Sequence, residues 1–229
     1  MGMTESANPA VQDYAKAIYA LEQRGEGPVS TTALAERLGV SAASASGMIS
    51  KLDALGLVSH VPYHGVVLSP SGVRLALEVL RHHRLLERFL TEILGMSWDR
   101  VHAEAEILEH VISEELEALI AAKLGHPTHD PHGDPIPTVE LTIDEQPTVA
   151  LADLEPGARG VFARVSDSDP EMLRWLLERQ IGLGDLVEIV DKQPFGGPVF
   201  ARFAASPTVH PLGGALAAAI RITPSEPDR

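Results

Sequence analysis

The chain has no cysteine, which removes disulfides and thiolate metal sites together and agrees with a reducing cytoplasm. It also has no apolar run near the ~20 residues that a membrane-spanning helix needs. Its opening, MGMTESANPAVQDYAK, has no basic segment followed by an apolar stretch, so no secretory signal is expected. Positive charge is scarce as well. The formal net charge is −14, the opposite of the basic footprint that nucleic-acid binders usually carry.

The acid is unevenly spread. Residues 1–75 hold five basic residues (Lys16, Arg24, Arg37, Lys51, Arg74) against six acidic ones, so this part is nearly neutral. Residues 76–125 hold five against ten, and 126–148 hold none against five. Carboxylates crowded into one helical region repel unless cations offset them.

At 229 residues and 45% hydrophobic content the chain has room for two or three small globular domains. Val11, Tyr14, Ile18 and Leu21 recur at helical spacing, with Pro9 near the start and Gly25 after the end. TALAERL and AASASGMISKLDALG read as two short helices joined by Gly39-Val40-Ser41, a helix-turn-helix. LVSHV and VVLSP flank the turn PYHG and read as a two-stranded wing.

One long helix is expected from Ser71 to Gly95 and another from about Trp98 to Gly125. HPTHDPHGDPIPTVELTIDEQP reads as a linker, and residues 149–223 alternate like strands, with one helix near PEMLRWLLERQ. The fold class is therefore a mainly α N-terminal part, winged helix-turn-helix plus helical dimerisation domain, with a small SH3-like β-barrel at the C-terminus. The domains are drawn at 1–73, 74–137 and 149–225, with 138–148 as linker.

The chemistry-bearing cluster lies on the two long helices. His83 and Glu87 are four residues apart, as are His102 and Glu106, and Glu106, Glu109 and His110 form ExxEH. Glutamates at i and i+3 repel when ionised. A divalent ion turns that repulsion into ligation by hard oxygens plus an imidazole, a set suited to Mn, Fe or Zn. A metal hydrolase would be a competing use of mixed Glu and His ligands, but HExxH spacing is missing and the helix-turn-helix would have no role. A transporter adaptor is a third reading. No catalytic residues or small-molecule substrate are expected.

DYAKAIYALE, LAERLGVS, RHHRLLERFL, VHAEAEILEHVISEELE and GDPIP together resemble the diphtheria toxin repressor and manganese transport regulator family over about residues 8–137. LEPGARGVFARV with GLGDLVEIVD resembles that family's SH3-like, FeoA-type third domain. The resemblance implies a cytoplasmic, homodimeric, metal-dependent repressor of metal-uptake genes that binds double-stranded palindromic operator DNA. It implies a regulatory metal site of Asp13, Glu106, Glu109 and His110, and a second of His83, Glu87 and His102. An acidic residue of VSDSDPEM (Asp167, Asp169 or Glu171, with Asp169 preferred) would help the second.

A Met and a Cys take the positions of Asp13 and Glu106 in the iron-responsive branch. Two carboxylates there favour manganese, with iron(II) as the alternative. Two-domain manganese regulators carry Glu where this chain has Lys16, so their paired-metal arrangement is not expected. Lys16 could pair with a neighbouring acid or touch DNA, with surface charge as the default; His82 is read as exposed, and His126, His129 and His132 as solvated loop residues rather than a small metal loop.

The second helix of the motif would enter the major groove with Ser41, Ala43, Ser44 and Gly47 near base edges. Lys51, Tyr63 and His64 would contact the backbone. Such small side chains leave little direct readout, so DNA shape is expected to contribute.

Overall fold

The computed structural model describes residues 8–23, 25, 27–61, 64–204 and 208–225. Its backbone divides into two compact units. One comprises Met1–His83, Glu106–Ile120 and Pro137–Ile143; the other comprises Arg84–Ala105, Ala121–Ile136 and Asp144–Arg229.

The first unit begins with α1 (Pro9–Glu22), where Pro9 occupies the first turn and the Asn8 side chain accepts from the Ala10 amide. Helix α2 (Thr31–Leu38) is capped by Ser30 and ends on Gly39 in the left-handed conformation. Helix α3 (Ala42–Ala54) is capped by Ser41. Strands β1 (Val58–Val61) and β2 (Gly65–Leu68) pair antiparallel from Val58↔Leu68 to Val61↔Gly65. Val11, Ile18, Leu34, Ala45, Leu52 and Val66, all fully buried, join these elements into one core. The helix-turn-helix and wing are thus present where the apolar spacing put them.

Helix α4 (Pro70–Glu92) follows directly. The next helical stretch is not continuous as expected: α5 (Val101–Leu108) stops, and α6 (Glu114–Lys123) starts afresh. The break has a local cause. The Ser113 hydroxyl accepts from the Leu116 amide at 3.2 Å, and its carbonyl accepts from Glu117. Glu114, Glu115 and Glu117 then fill the first turn, where the helix dipole favours negative charge. The β-branched pair Val111-Ile112 in the gap adds little helix propensity.

In the second unit, β3 (Val149–Ala150), β4 (Arg159–Val165), β5 (Leu186–Lys192), β6 (Val199–Phe203), β7 (Val209–Leu212) and β8 (Ile220–Pro224) form a six-stranded antiparallel sheet in the order β3-β8-β4-β5-β6-β7. Register shifts at Phe162/Arg164 and Ile189/Asp191 bend it. Phe162, Phe203, Ile189, Leu212, Ile220 and Ile222 fill its inner face, joined by Leu173 and Leu176 of α7 (Pro170–Glu178). A short α8 (Gly214–Ala219) precedes β8. Among the described residues no helix is long and apolar enough to cross a membrane.

The stretch read as a linker begins as a folded loop. The Asp130 amide donates to the Asp134 carbonyl at 2.9 Å, Ile136 donates to Thr128, and His129 bridges to Pro135. Gly133 adopts φ +88°, and a Cβ there would lie 2.1 Å from the Ala163 carbonyl oxygen, so glycine lets this loop press against β4.

Phe162→Ala is expected to cost ~3–5 kcal/mol, whereas Leu186→Ala, 60% exposed, costs under about 1 kcal/mol. Both tryptophans, Trp98 and Trp175, lie in the second unit, so their fluorescence during urea unfolding reports the difference. Equal losses would contradict this core assignment.

Candidate metal centres and nucleic-acid interface

Because α5 ends at Leu108, Glu109 and His110 sit in the turn after it rather than along a continuous helix. From that turn the His110 ring reaches α1, with Nε2 3.0 Å from Asp13 Oδ1 and Nδ1 2.7 Å from Gln12 Oε1. Asp13, Glu109 and His110 offer ligand atoms that all lie within 4.8 Å of one another, as do His83, Glu106 and Glu109. His83 Nδ1 is 2.5 Å from Glu109 Oε2, and the Glu109 side chain is fully buried.

Lys16 is not ordinary surface charge. Its ammonium donates to Glu106 Oε1 at 2.7 Å and to Glu109 Oε1 at 2.6 Å. Burial opposes that charge, but Glu109 and Glu106 outweigh it and hold the ammonium above its usual range. Burial likewise pushes the Glu109 carboxyl up, yet the His83 hydrogen bond and Lys16 win and lower it. Asp13 is raised, with burial outweighing His110 and Lys16.

His82, expected to face solvent, is buried at 7% exposure. Its Nε2 is 3.0 Å from Glu117 Oε2 and its Nδ1 is 3.2 Å from the Glu109 carbonyl oxygen. The ring is thus held between Glu109, in the break after α5, and Glu117 of α6.

The second unit holds a further cluster around Glu87, whose side chain is fully buried. His102 Nδ1 lies 3.4 Å from Glu87 Oε1 and 2.9 Å from Asp167 Oδ2. Of the three acidic candidates in VSDSDPEM, Asp167 rather than the preferred Asp169 is the one in contact with His102. Asp169 instead caps α7, accepting from the Glu171 amide at 2.9 Å, which turns it to local use.

On the other side of Glu87 stand Asp130 and His132. Asp130 Oδ1 accepts from the His132 and Asp134 amides, and Glu87, Asp130 and His132 have ligand atoms within 4.8 Å of each other. His132, taken for a solvated loop histidine, is fully buried, whereas His126 and His129 are exposed. Its Nε2 lies 2.8 Å from the Trp98 carbonyl oxygen, and the Trp98 ring stacks on it. Among the described residues its Nδ1 lacks a partner at hydrogen-bond distance, and it faces Glu87 Oε2 at 3.7 Å.

An imidazole that donates one N–H to a backbone carbonyl and directs its other nitrogen at a carboxylate is in the orientation of a metal ligand. The all-oxygen-and-imidazole donors of both clusters therefore fit a hard or borderline divalent cation. Arg84 and Arg164 temper the acid nearby, each within 3.4 Å of Asp134 Oδ1. The signal for Asp130 and His132 was the density of Asp and His in HDPHGD, masked by the prolines and glycine around them.

The helix-turn-helix surface is simple. Ala43, Ser44 and Gly47 are exposed along the first half of α3, while Lys51 is half-buried. Ser41 caps the helix by accepting from the Ser44 amide at 3.1 Å, and the two hydroxyls lie 2.8 Å apart. A Cβ at Gly47 would meet nothing within 4 Å, so packing within the chain does not require glycine there. His64 is exposed in the wing turn, and Tyr63 lies outside the described residues.

Comparison with known proteins follows the same division. Residues 8–66 match the model of the iron dependent repressor N-terminal DNA binding domain. Residues 69–138 match the iron dependent repressor metal binding and dimerisation domain, and 149–224 match the FeoA domain. The iron-dependent repressor IdeR of Mycobacterium tuberculosis is 39% identical over 142 residues, 62% of this chain and 61% of that protein's length. The diphtheria toxin repressor of Corynebacterium efficiens is 33% identical over 190 residues, covering 79% of this chain and 82% of that repressor. Among solved structures, a manganese-dependent transcriptional repressor in complex with manganese superposes with TM-score 0.88 at 42% identity, covering 93% of this chain and 99% of that one. The manganese regulator SloR gives 0.76 at 29% identity, covering 93% and 98%.

The cluster around Glu87 makes metal-free stability pH-dependent. Neighbouring Asp167 and Glu87 raise His102 to about 10. Burial opposes charge on His132, but Glu87 and Asp130 outweigh it and raise it to about 9. Burial, with Asp134 and Glu87, lifts Asp130 to about 8. All three bind protons more tightly folded than unfolded. The histidine contributions are complete below 6.5 and vanish as pH passes the folded values, and Asp130 acts with the same sign up to about 8. The melting temperature of chelator-treated protein is therefore expected to fall between pH 6.5 and 8. Glu87→Gln should flatten that slope; a midpoint that climbs over this window contradicts it.

Proposed function

We infer the function of the chain from its family: it belongs to the iron-dependent repressor family that includes the diphtheria toxin repressors, and acts as a divalent-metal-dependent transcriptional repressor. It reads double-stranded operator DNA with α3 and the wing, as a homodimer in the cytoplasm. The observation that carries the reading is the meeting of Asp13 from α1 with Glu109 and His110 from the turn after α5.

Asp13, Glu106, Glu109 and His110 form the regulatory metal site, with His83 orienting Glu109 through its 2.5 Å contact. Glu87, His102, Asp167, Asp130 and His132 form the second. A divalent cation bound at the first supplies positive charge shared by side chains of two helical regions. Asp13 belongs to the helix-turn-helix, while Glu109 and His110 belong to the region matched as metal binding and dimerisation. Shared ligation restricts how the reading head turns on that region. The two heads of a dimer must meet half-sites about one helical turn, or a multiple, apart, so the restriction raises the population able to bind.

Manganese is the assigned metal. The first site offers three carboxylates and one imidazole with no sulfur ligand, a hard set. Iron(II) is the second reading, favoured by the names of the mycobacterial relatives. Dimerisation is supported by Ile107, Val111, Leu116 and Leu119, each 48–76% exposed on α5, the following turn and α6.

Gly47 supports close approach to DNA. Glycine inside a helix costs about 1 kcal/mol relative to alanine, and among the described residues nothing crowds a Cβ there. Gly47→Ala is accordingly expected to stabilise the first unit by ~0.5–1 kcal/mol in thermal unfolding while weakening operator binding. Gain of stability with unchanged affinity would remove Gly47 from the interface.

Asp13→Ala is expected to reduce metal-dependent operator binding at least about tenfold, equivalent to one lost charge-assisted ligand, while the dimer stays intact in sedimentation. Gel shifts titrated with Mn²⁺ and, anaerobically, Fe²⁺ separate the two metal assignments. Undiminished affinity of Asp13→Ala would rule out the switch.

A further inference from the structure

Lys16 follows Asp13 by three residues on α1, so both side chains leave the same side of the helix. Its ammonium touches Glu106 and Glu109 at 2.7 and 2.6 Å. These are oxygens of the same carboxylates that converge with Asp13, His110 and His83 into cation-sized groups. The position that a metal would need is therefore already served by a cation covalently part of the chain.

We propose that Lys16 is a built-in counter-cation of the regulatory site, holding Glu106 and Glu109 in the metal-free chain and releasing them to a divalent ion, so that it sets the site's affinity threshold. The inference rests on the metal-site reading given above.

Charge counting supports it. Asp13, Glu106 and Glu109 carry three negative charges, which the Lys16 ammonium reduces to a net of two in the metal-free chain. The lysine stem is flexible, and its side chain retains 17% exposure. The ammonium can thus swing toward water without moving the helix. The arrangement also ties α1 to the end of α5 before metal arrives, which keeps the three carboxylates from driving those elements apart.

The test uses the full chain stripped with chelator, titrated with Mn²⁺ by calorimetry and melted without metal. Lys16→Gln is expected to bind Mn²⁺ at least about tenfold more tightly, because no tethered charge has to be displaced. It is also expected to melt at a lower temperature than wild type when metal-free. Lys16→Arg keeps the charge and should stay close to wild type in both. Lys16→Met provides the same comparison if the glutamine variant does not melt cooperatively.

Unchanged or weaker Mn²⁺ binding by the neutral variants would overturn the proposal. Asp13→Ala, run in parallel, separates the two levels. Loss of one bound ion per chain in Asp13→Ala keeps the site reading while the Lys16 variants decide the counter-cation role. Undiminished stoichiometry in Asp13→Ala would overturn both.

Discussion

Glu106 of α5 and Glu109 of the turn after it stand three residues apart, with Asp13 of α1 brought close by His110, and three carboxylates so placed do not remain together without positive charge among them. In this chain Lys16 supplies it directly, with two contacts below 3 Å. His83 supplies a hydrogen bond from the other side of Glu109. The rest of the first unit is arranged so that this crowding occurs at the junction between a DNA-reading fold and a helical region. Removing the crowding would leave a stable helix-turn-helix with nothing to report to it.

The same economy of charge recurs around Glu87. Its buried carboxylate is flanked by His102 and Asp167 on one side and by Asp130 and His132 on the other. Raised histidine and Asp130 values mean that, without metal, protons occupy this cluster. A divalent ion bound here would have to displace those protons from the same lone pairs. Arg84 and Arg164, both contacting Asp134, tether the loop that carries Asp130 and His132. Gly133 lets that loop seat against β4. The two clusters differ in one respect: the first carries its own fixed cation, and the second depends on titrating rings.

Much of this was readable from spacing. The helix-turn-helix, the wing and the β-rich end follow from apolar periodicity, caps and turn residues, because these are local rules. Glu109 and His110 were recognisable from ExxEH, although the helix was expected to run on through them. The interruption at Ser113 is a contest between a cap and a continuing apolar stripe, which periodicity alone does not decide. Lys16, His82 and His132 were misread for one shared reason. Each sits where tertiary packing covers a position that local sequence rules leave in water. Asp167 and Asp169 were indistinguishable by spacing, and the helix cap at Asp169 is what separates them. HDPHGD looked like linker because proline and glycine mark turns, yet a turn can be built to hold ligands.

The most direct test of the metal-clamp account is anomalous diffraction at the manganese edge from crystals of the full chain grown with MnCl₂. The account requires a peak bonded to Asp13, Glu109 and His110 at the ~2.0–2.6 Å of a metal–ligand contact. A fully loaded crystal with manganese elsewhere, and with Asp13 turned away from Glu109 and His110, would contradict it.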